Sequence, residues 1–304
     1  MMLPPTMQVF ERGWLSSNNI LFDAGASAGT ALVDSGYHTH AAQTLALVTH
    51  ALHGRALDRL LNTHLHSDHC GGNAALQAVF GCRTTIPAAE AEAVRVWDQA
   101  ALSFTSTGQQ CERFDFTDTM RAGDMLDLGN LEWQVLGAPG HDPHSLILYC
   151  AEARILISAD ALWENGFGVV FPELDGASGF VEIRATLELI GTLDIGLVIP
   201  GHGAPFTDVK GALVRALSRI DYLAADPVRN AQNAVKVLLK FLLLERQQIA
   251  LVDVPRLLSA IRLFRETNQR FLQLPEDVLA QWAVTQLQRA GAAEVDGVLL
   301  RNRD

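Results

Sequence analysis

Three histidines and an aspartate fall within six positions of the segment "NTHLHSDHCGGN", Asn62 to Asn73, directly after the apolar run "LDRLL". A buried strand does not need imidazole. The spacing His64-x-His66-x-Asp68-His69 therefore reads as side chains gathered on one point where a strand ends. Imidazole nitrogens and carboxylate oxygens are the donors that suit zinc and related first-row metals. Chance rarely supplies four such donors in six positions. A chain built this way needs an architecture whose strand ends can converge.

The remaining patterns supply that architecture. "NNILFD" and "GTALVDSG" read as two strands joined by the turn-rich "AGASA". "THAAQTLALVTHALHG" carries apolar residues at helical spacing and closes on Gly54. "LDRLLNTHLH" is a buried strand entering the histidine cluster, and "NAALQAVFG" a short helix closed by Gly81. Residues 87–103 read as helix and "STGQQCERFDFTDT" as loop. Strands follow at "LEWQVLGAPG", "SLILYC" and "RILISAD", then a helix over 178–191 and the strand "IGLVIPGHG". Strands interleaved with helices indicate an α/β class. From Val209 onward nearly everything reads as helix. The break at Asp226-Pro227 is an N-cap followed by proline in a first turn. "PEDVLAQWAVTQLQRAG" is a late helix, and "AAEVDGVLLRN" two short strands about an Asp-Gly turn. The expected division is a catalytic domain over 1–226 and a small, mainly helical domain over 227–304.

Composition narrows the classes of function. With 304 residues, 49% of them hydrophobic, the chain can bury a sizeable core. A net charge of −11 argues against a broad polyanion-binding surface, so no nucleic-acid partner is expected. The N-terminal stretch does not read as a signal peptide, and "AVKVLLKFLLL" is too short and too charged to span a membrane. Cys70, Cys82, Cys111 and Cys150 show no close pairing in sequence and read as free thiols of a reducing cytoplasm.

Further candidates sit where other strands end: His141 in "GAPGHDPHS", with His144 close behind, Asp160 in "LISAD" and His202 in "IPGHG". The ordered set, HxHxDH, then G-H, then S-A-D, then G-H-G, resembles the metallo-β-lactamase fold hydrolases, and the resemblance covers roughly residues 8–225. It implies an αββα sandwich with metals on one edge. Carried onto this chain, it implies that His64, His66 and His141 bind one divalent ion. Asp68, His69 and His202 would bind a second, with Asp160 bridging the two. The ions are expected to be zinc, with iron or manganese as alternatives. Two such cations sharing a water lower its pKa toward neutrality and make a hydroxide nucleophile, whose proton Asp68 would relay or orient. Asp34 reads as a turn residue, with support for a ligand histidine as the alternative.

β-Lactamases of this fold usually replace the bridging aspartate or a second-site ligand with Cys or Ser, whereas Asp160 is present here. The set is closer to glyoxalase II-type thioesterases, lactonases and some nucleases. His141 and Asp160 are 19 positions apart, which leaves no room for the extra domain of the long-insertion nucleases. The expected function is hydrolysis of a small ester, thioester or lactone. An iron-dependent sulfur dioxygenase is the alternative from another reaction class, and a nucleic-acid-processing hydrolase a third. Residues 227–304 resemble the winged-helix appendage of some family members. The helix starting "PEDVLAQW" carries Glu276 and Asp277 against only Arg289, so packing on the catalytic domain or dimerising is expected rather than DNA binding.

Substrate contacts are expected from Trp163, Phe167 and Phe171 of "ALWENGFGVVFPELDG", an apolar wall beside the metals, with His144 as a further candidate. Trp97 and Phe104 are candidates to cap the same pocket. Cys70 is not expected to bind metal, since the ligand set is full without it.

Overall fold

Alternate residues of each central strand are apolar on both faces, so each sheet must be covered twice. A computed structural model describes residues 3–25 and 29–303, and residues 26–28 of the expected Ala24–Ala28 turn lie outside the described residues. One sheet has the order β1 (Met7–Phe10), β2 (Asn19–Asp23), β3 (Thr30–Val33), β4 (Arg59–Leu61), β5 (Arg83–Pro87), β6 (Asp118–Met120). Its first three strands are antiparallel neighbours and β3 to β6 run parallel. The other sheet has the order β11 (Leu197–Pro200), β10 (Ile155–Ala159), β9 (Leu146–Cys150), β8 (Leu131–Gly137), β7 (Met125–Leu128). There β10 and β11 are parallel and the remaining pairs antiparallel.

The layers follow from the two-residue side-chain period. Ile20, Phe22, Val33 and Leu61 meet Trp133, Val135, Leu148 and Ile157 between the sheets. The intervening Leu21, Leu32 and Leu60 point outward under α1 (Ala41–Ala51) and α3 (Asn73–Phe80), while α2 (Ser67–Cys70) is the single turn between β4 and α3. On the far side Ile147, Tyr149, Leu156 and Val198 are covered by helices that follow the short α4 (Ala91–Val96), α5 (Phe104–Thr107) and α6 (Phe171–Asp175), namely α7 (Phe180–Thr192) and α8 (Val209–Ala224). The result is the expected αββα sandwich. Trp133, fully buried, keeps its indole N–H satisfied by the Leu128 carbonyl at 3.1 Å.

α9 (Pro227–Arg246) starts on the Asp226 side chain, which accepts from the Val228 N–H, with proline in the first turn. Its buried residues recur at three- and four-residue spacing, Ala231, Ala234, Val235, Leu238, Leu239, Leu242 and Leu243. That stripe is the spine of a separate apolar cluster with α10 (Val254–Ala260), α11 (Arg262–Thr267) and α12 (Glu276–Arg289). A three-stranded sheet closes it, in the order β12 (Gln248–Ala250), β14 (Leu299–Asn302), β13 (Ala293–Asp296); β13 and β14 form the expected hairpin, but Asp296 pairs with Leu299 and the turn is Gly297-Val298, one residue past the expected Asp-Gly. None of these helices is long and apolar enough to cross a membrane.

Two local expectations differ from the structure. Residues 87–103 are not one helix: α4 ends at Val96 because Trp97 turns left-handed, φ 56°, to set its ring against Phe114 and Phe104. Tertiary packing of one large ring outweighs the helical pattern around it. The short strands β1, β5, β6, β7 and β12 add to those expected, β6 starting inside the segment read as loop; β7 reads "MLDL" and is half-exposed at a sheet edge, so it carries little alternation to detect.

Candidate metal centre

Four strand ends open onto one edge of the sandwich. β4 leads into His64, His66, Asp68 and His69; β8 leads to His141, β10 to Asp160 and β11 to His202. Because β8, β10 and β11 run the same way, their carboxyl ends reach that edge together. The edge is stitched across the two sheets. Asn18, in the loop between β1 and β2, donates its backbone N–H to Gly201 O at 2.7 Å and its side-chain amide to Pro200 O and Gly203 O. Leu146 N–H donates to Thr63 O at 2.9 Å.

Two groups of donors form there. His64, His66 and His141 bring one ring nitrogen each within 4.8 Å of one another, as do the donor atoms of Asp68, His69, Asp160 and His202. In the first group His66 Nδ1 lies 3.1 Å from His64 Nε2 and 2.8 Å from His141 Nε2. Asp160 stands between the groups: Oδ2 is 3.3 Å from His141 Nε2, and Oδ1 is 3.4 Å from His69 Nε2 and 3.8 Å from His202 Nε2. Asp68 Oδ2 is 3.1 Å from His202 Nε2.

The donors are oriented from behind. Asp34 Oδ2 accepts from His69 Nδ1 at 2.8 Å and from the Thr63 hydroxyl at 2.8 Å, and Oδ1 accepts the Thr63 N–H. That fixes the His69 tautomer and leaves Nε2 facing the cluster. His141 donates its Nδ1–H to Val169 O at 2.6 Å, which leaves Nε2 free for the same point. Two glycines make room. A Cβ on Gly201 would stand 2.2 Å from Asp160 Oδ1, and one on Gly168 would stand 2.4 Å from His141 Nδ1. Ala159, just before Asp160, is held at φ 45°, a strained conformation of a kind that clusters at functional sites.

The charges sort by group. Burial, aided by neighbouring imidazoles, holds His64 well below its ordinary pKa and lowers His66 and His141 to about 4. All three are neutral at pH 7, the form that ligates cations. Burial opposes charge in the second group too, but there it loses. Asp160 and Asp34 hold His69 well above its usual range, and His69 and His202 hold Asp160 well below its own. Asp68 is likewise lowered, against burial, chiefly by its hydrogen bond with His202. His69 Nε2 is buried without a hydrogen-bond partner among the described residues, an orphan atom that a cation would satisfy.

The edge forms the floor of a cavity of about 430 Å³. Trp163, Phe167 and Phe171 line it, as does Trp14, which the sequence did not single out. Trp14 is half-exposed and stacks on His202 with centroids 5.6 Å apart, and its ring meets Trp163 edge-on at 5.4 Å. A lone tryptophan in a loop carries no pattern, so only the fold reveals it. Trp163 donates its indole N–H to Asp160 Oδ1 at 3.2 Å.

Two expectations need correction. His144 is exposed and outside the cavity lining: Asp142 Oδ1 accepts its backbone N–H in a tight turn that carries the ring into solvent. Its neighbour Asp142, overlooked, comes within 3.7 Å of His66 Nε2. Trp97 and Phe104 pack in a separate cluster with Phe114 rather than over the pocket. The four cysteines are free thiols as expected, although Cys70 and Cys111, distant in sequence, come within 3.8 Å of each other.

Comparison with known proteins agrees with this fold. The model of the metallo-beta-lactamase superfamily matches residues 12–202. A hydroxyacylglutathione hydrolase of Rhodospirillum rubrum is 27% identical over 175 residues, 57% of this chain and 58% of that protein. One from Rhodopseudomonas palustris (strain HaA2) is 32% identical over 118 residues, 39% of each chain. The match thus spans between about two fifths and three fifths of these relatives' lengths. Among solved structures, a beta-lactamase domain protein from Burkholderia ambifaria superposes with a TM-score of 0.61 at 20% identity, covering 100% of this chain and 94% of that one. A metallo-beta-lactamase family protein from Thermus thermophilus gives 0.57 at 21% identity, covering 99% and 100%. These structural likenesses concern the fold, and they extend through the C-terminal helical part. The chain belongs to the metallo-beta-lactamase superfamily.

Proposed function

We propose that this member of the metallo-beta-lactamase superfamily hydrolyses a small ester, thioester or lactone at a dinuclear site. His64, His66 and His141 would hold one divalent ion and Asp68, His69 and His202 a second, with Asp160 shared. One observation carries the reading: two donor groups meet at Asp160, whose two oxygens face opposite groups, on the floor of an aromatic cavity. The donor set fits the ions, since three neutral imidazoles suit a borderline-soft cation and the orphan His69 Nε2 needs a partner. When bound, a pair of such ions lowers the pKa of a water and stabilises charge on the acyl oxygen.

The protein's own groups supply the rest. Asp68 is partly exposed to the cavity, ionised, and hydrogen-bonded on one oxygen to His202, which leaves the other to accept a proton from an attacking water. Trp14, Trp163 and Phe171 give an apolar substituent a dry surface and exclude bulk water from the reacting carbonyl. The relatives named hydroxyacylglutathione hydrolases favour a thioester within the acyl class. Zinc is the proposed ion. The small-molecule reading also assigns residues 227–304 to the pocket wall rather than to duplex DNA, because Glu276 and Asp277 open α12 and Arg289 alone closes it with positive charge.

The test is metal analysis of protein purified without chelator, followed by a panel of thioesters, lactones, activated esters and a bis-aryl phosphodiester. Two metal equivalents with acyl turnover exceeding phosphodiester turnover is the expected result. Efficient phosphodiester cleavage beside inert acyl substrates would overturn the acyl reading, and one equivalent at saturation would overturn the dinuclear one.

A further inference from the structure

The cavity floored by Asp160 is also lined by a cation that has no carboxylate partner among the described residues. Arg219, on α8, lines it and is only partly exposed. Its guanidinium lies over the Phe167 ring at 5.4 Å and reaches Asn233 Oδ1 at 3.5 Å. Among the described residues no carboxylate lies within 4 Å of it, while Arg55, Arg83, Arg154, Arg184 and Arg215 each have one. The other cations of the lining are engaged. Lys240 donates to Ala292 O, Asn302 Oδ1 and Arg303 O, and Arg303 pairs with Glu294. Burial lowers the pKa of Arg219, the mark of a charge taken from water without a protein anion to replace it.

The surroundings repeat the sign. Among the described residues, Asp68 and Asp160 on the floor are the carboxylates that line the cavity. A neighbouring groove of about 380 Å³ shares Asn233, Val237, Lys240 and Ala290 with it and adds Lys236 and Arg289, again without an acid. In a chain of net charge −11 this is a local reversal. A desolvated guanidinium is favourable once an anion meets its planar fork, and a ligand can bring that anion. Asn233 beside it offers an amide to the same group.

We infer that the cavity takes an acyl compound bearing an anionic tail, a carboxylate or a phosphate, which Arg219 of α8 and Asn233 of α9 bind while the acyl group meets the donors at Asp160. The inference rests on the acyl-hydrolase reading for what happens at the floor, and adds the polarity of the substrate: reacting carbonyl at the metal edge, apolar middle against Phe167 and Phe171, charge at α8. Arg219 thereby selects substrates.

The test separates the tail from the chemistry. Mercaptohexanoate, mercaptohexyl phosphate and mercaptohexanamide share a thiol, which anchors on divalent cations, and differ only in the tail. Their binding to the metal-loaded protein is read by quenching of tryptophan fluorescence, since Trp14 and Trp163 line the site. The wild type should prefer at least one anionic probe over the amide by about tenfold or more, the size of a charge-assisted hydrogen bond. Arg219→Met should erase that preference and Arg219→Lys should keep part of it. Equal affinity for all three probes in the wild type, or a preference that survives Arg219→Met, would overturn the inference. A misfolded variant would weaken all probes alike, and the preference of the wild type over the amide then decides alone. If acyl substrates prove inert while the Arg219-dependent preference stands, the hydrolase reading falls and the subsite remains. If thioesters turn over without regard to tail charge, the subsite falls instead.

Discussion

The floor and the far wall of one cavity are built on opposite terms. On the floor, donors leave the ends of β4, β8, β10 and β11, and His69 and His141 are oriented from behind by Asp34 and the Val169 carbonyl. Opposite it, α9 contributes Val237, Phe241 and Leu244, side chains that pack and exclude water but define no bond direction. Rigid strand ends can hold atoms to the tolerance that a metal demands, whereas a helix surface can vary its side chains without moving a backbone. Reactivity and selectivity are therefore separable here. Changes to the floor should cost metal and rate together, and changes to the wall should redistribute substrates.

Asp160→Asn is the harshest trial of that separation. It keeps the shape of the side chain and removes the negative charge that two groups share. Turnover is expected to fall by about 10³-fold or more, with at least one metal equivalent lost, because a neutral amide does not hold charge between two cations. Metal analysis with kinetics checks this, and circular dichroism should show the fold retained. Full metal content with near-normal turnover would show that Asp160 is not shared.

Acid should strip stability from the floor and leave the wall indifferent. In protein freed of metal, His66 and His141 have folded pKa values of about 4, below the ordinary histidine value. Protons then bind the unfolded chain first. The contribution of these residues is intact above about pH 6.5 and is lost as pH falls toward 4. Asp160 and Asp68, also lowered, extend the loss further into acid. His69, raised, works the other way: its contribution is full at low pH and fades as pH rises through its folded value. The lowered groups outnumber it, so urea unfolding between pH 7 and 4.5 should show stability falling by on the order of a few kcal/mol. A flat profile would mean the imidazoles are not buried as neutral bases.

Asp34→Ala probes the support one layer back. Asp34 touches no other member of the two donor groups than His69, yet without it His69 can rotate or exchange its tautomer. Metal affinity is expected to drop by about 10- to 100-fold while an excess of metal restores most of the turnover. Titration against a chromophoric chelator would decide it, and unchanged affinity would reduce Asp34 to a turn residue.

Asp34 also shows where sequence reading stops. Its left-handed backbone, φ 58°, makes the turn reading right, and its carboxylate on His69 makes the supporting reading right as well. Sequence offered these as alternatives because it carries no distance between position 34 and position 69. The metal edge was legible because HxHxDH is dense, and because an αββα sandwich gathers the later single donors at strand ends. The aromatic wall was partly legible, since Trp163, Phe167 and Phe171 follow Asp160 closely and chain proximity kept them near it. Trp14, Arg219 and Phe241 were not, as each reaches the cavity from a different element and no local pattern marks it. Trp97 misled for a related reason: aromatic residues near a site in sequence can be spent on a neighbouring core.

Trp163 joins floor to wall through a hydrogen bond as well as ring packing, so it offers the finest cut. Its ring lines the cavity beside Trp14 and His202, and its indole N–H donates to Asp160 Oδ1 at 3.2 Å. Trp163→Phe keeps most of the apolar surface and deletes only the donor. A hydrogen bond to a carboxylate is worth somewhat more than a neutral one, but here a bound cation would compete for the same oxygen, which places the loss near 1 kcal/mol, about fivefold in rate. The expected result is a kcat reduced about fivefold with KM for an apolar thioester within about twofold of the wild type. Trp163→Ala should add a rise in KM of about tenfold, since it also removes the surface against which the substituent packs. Equal behaviour of the Phe variant and the wild type would assign Trp163 to the wall alone. A Phe variant that loses metal would instead extend the floor by one residue, and show that orientation of Asp160 depends on the pocket as well as on β10.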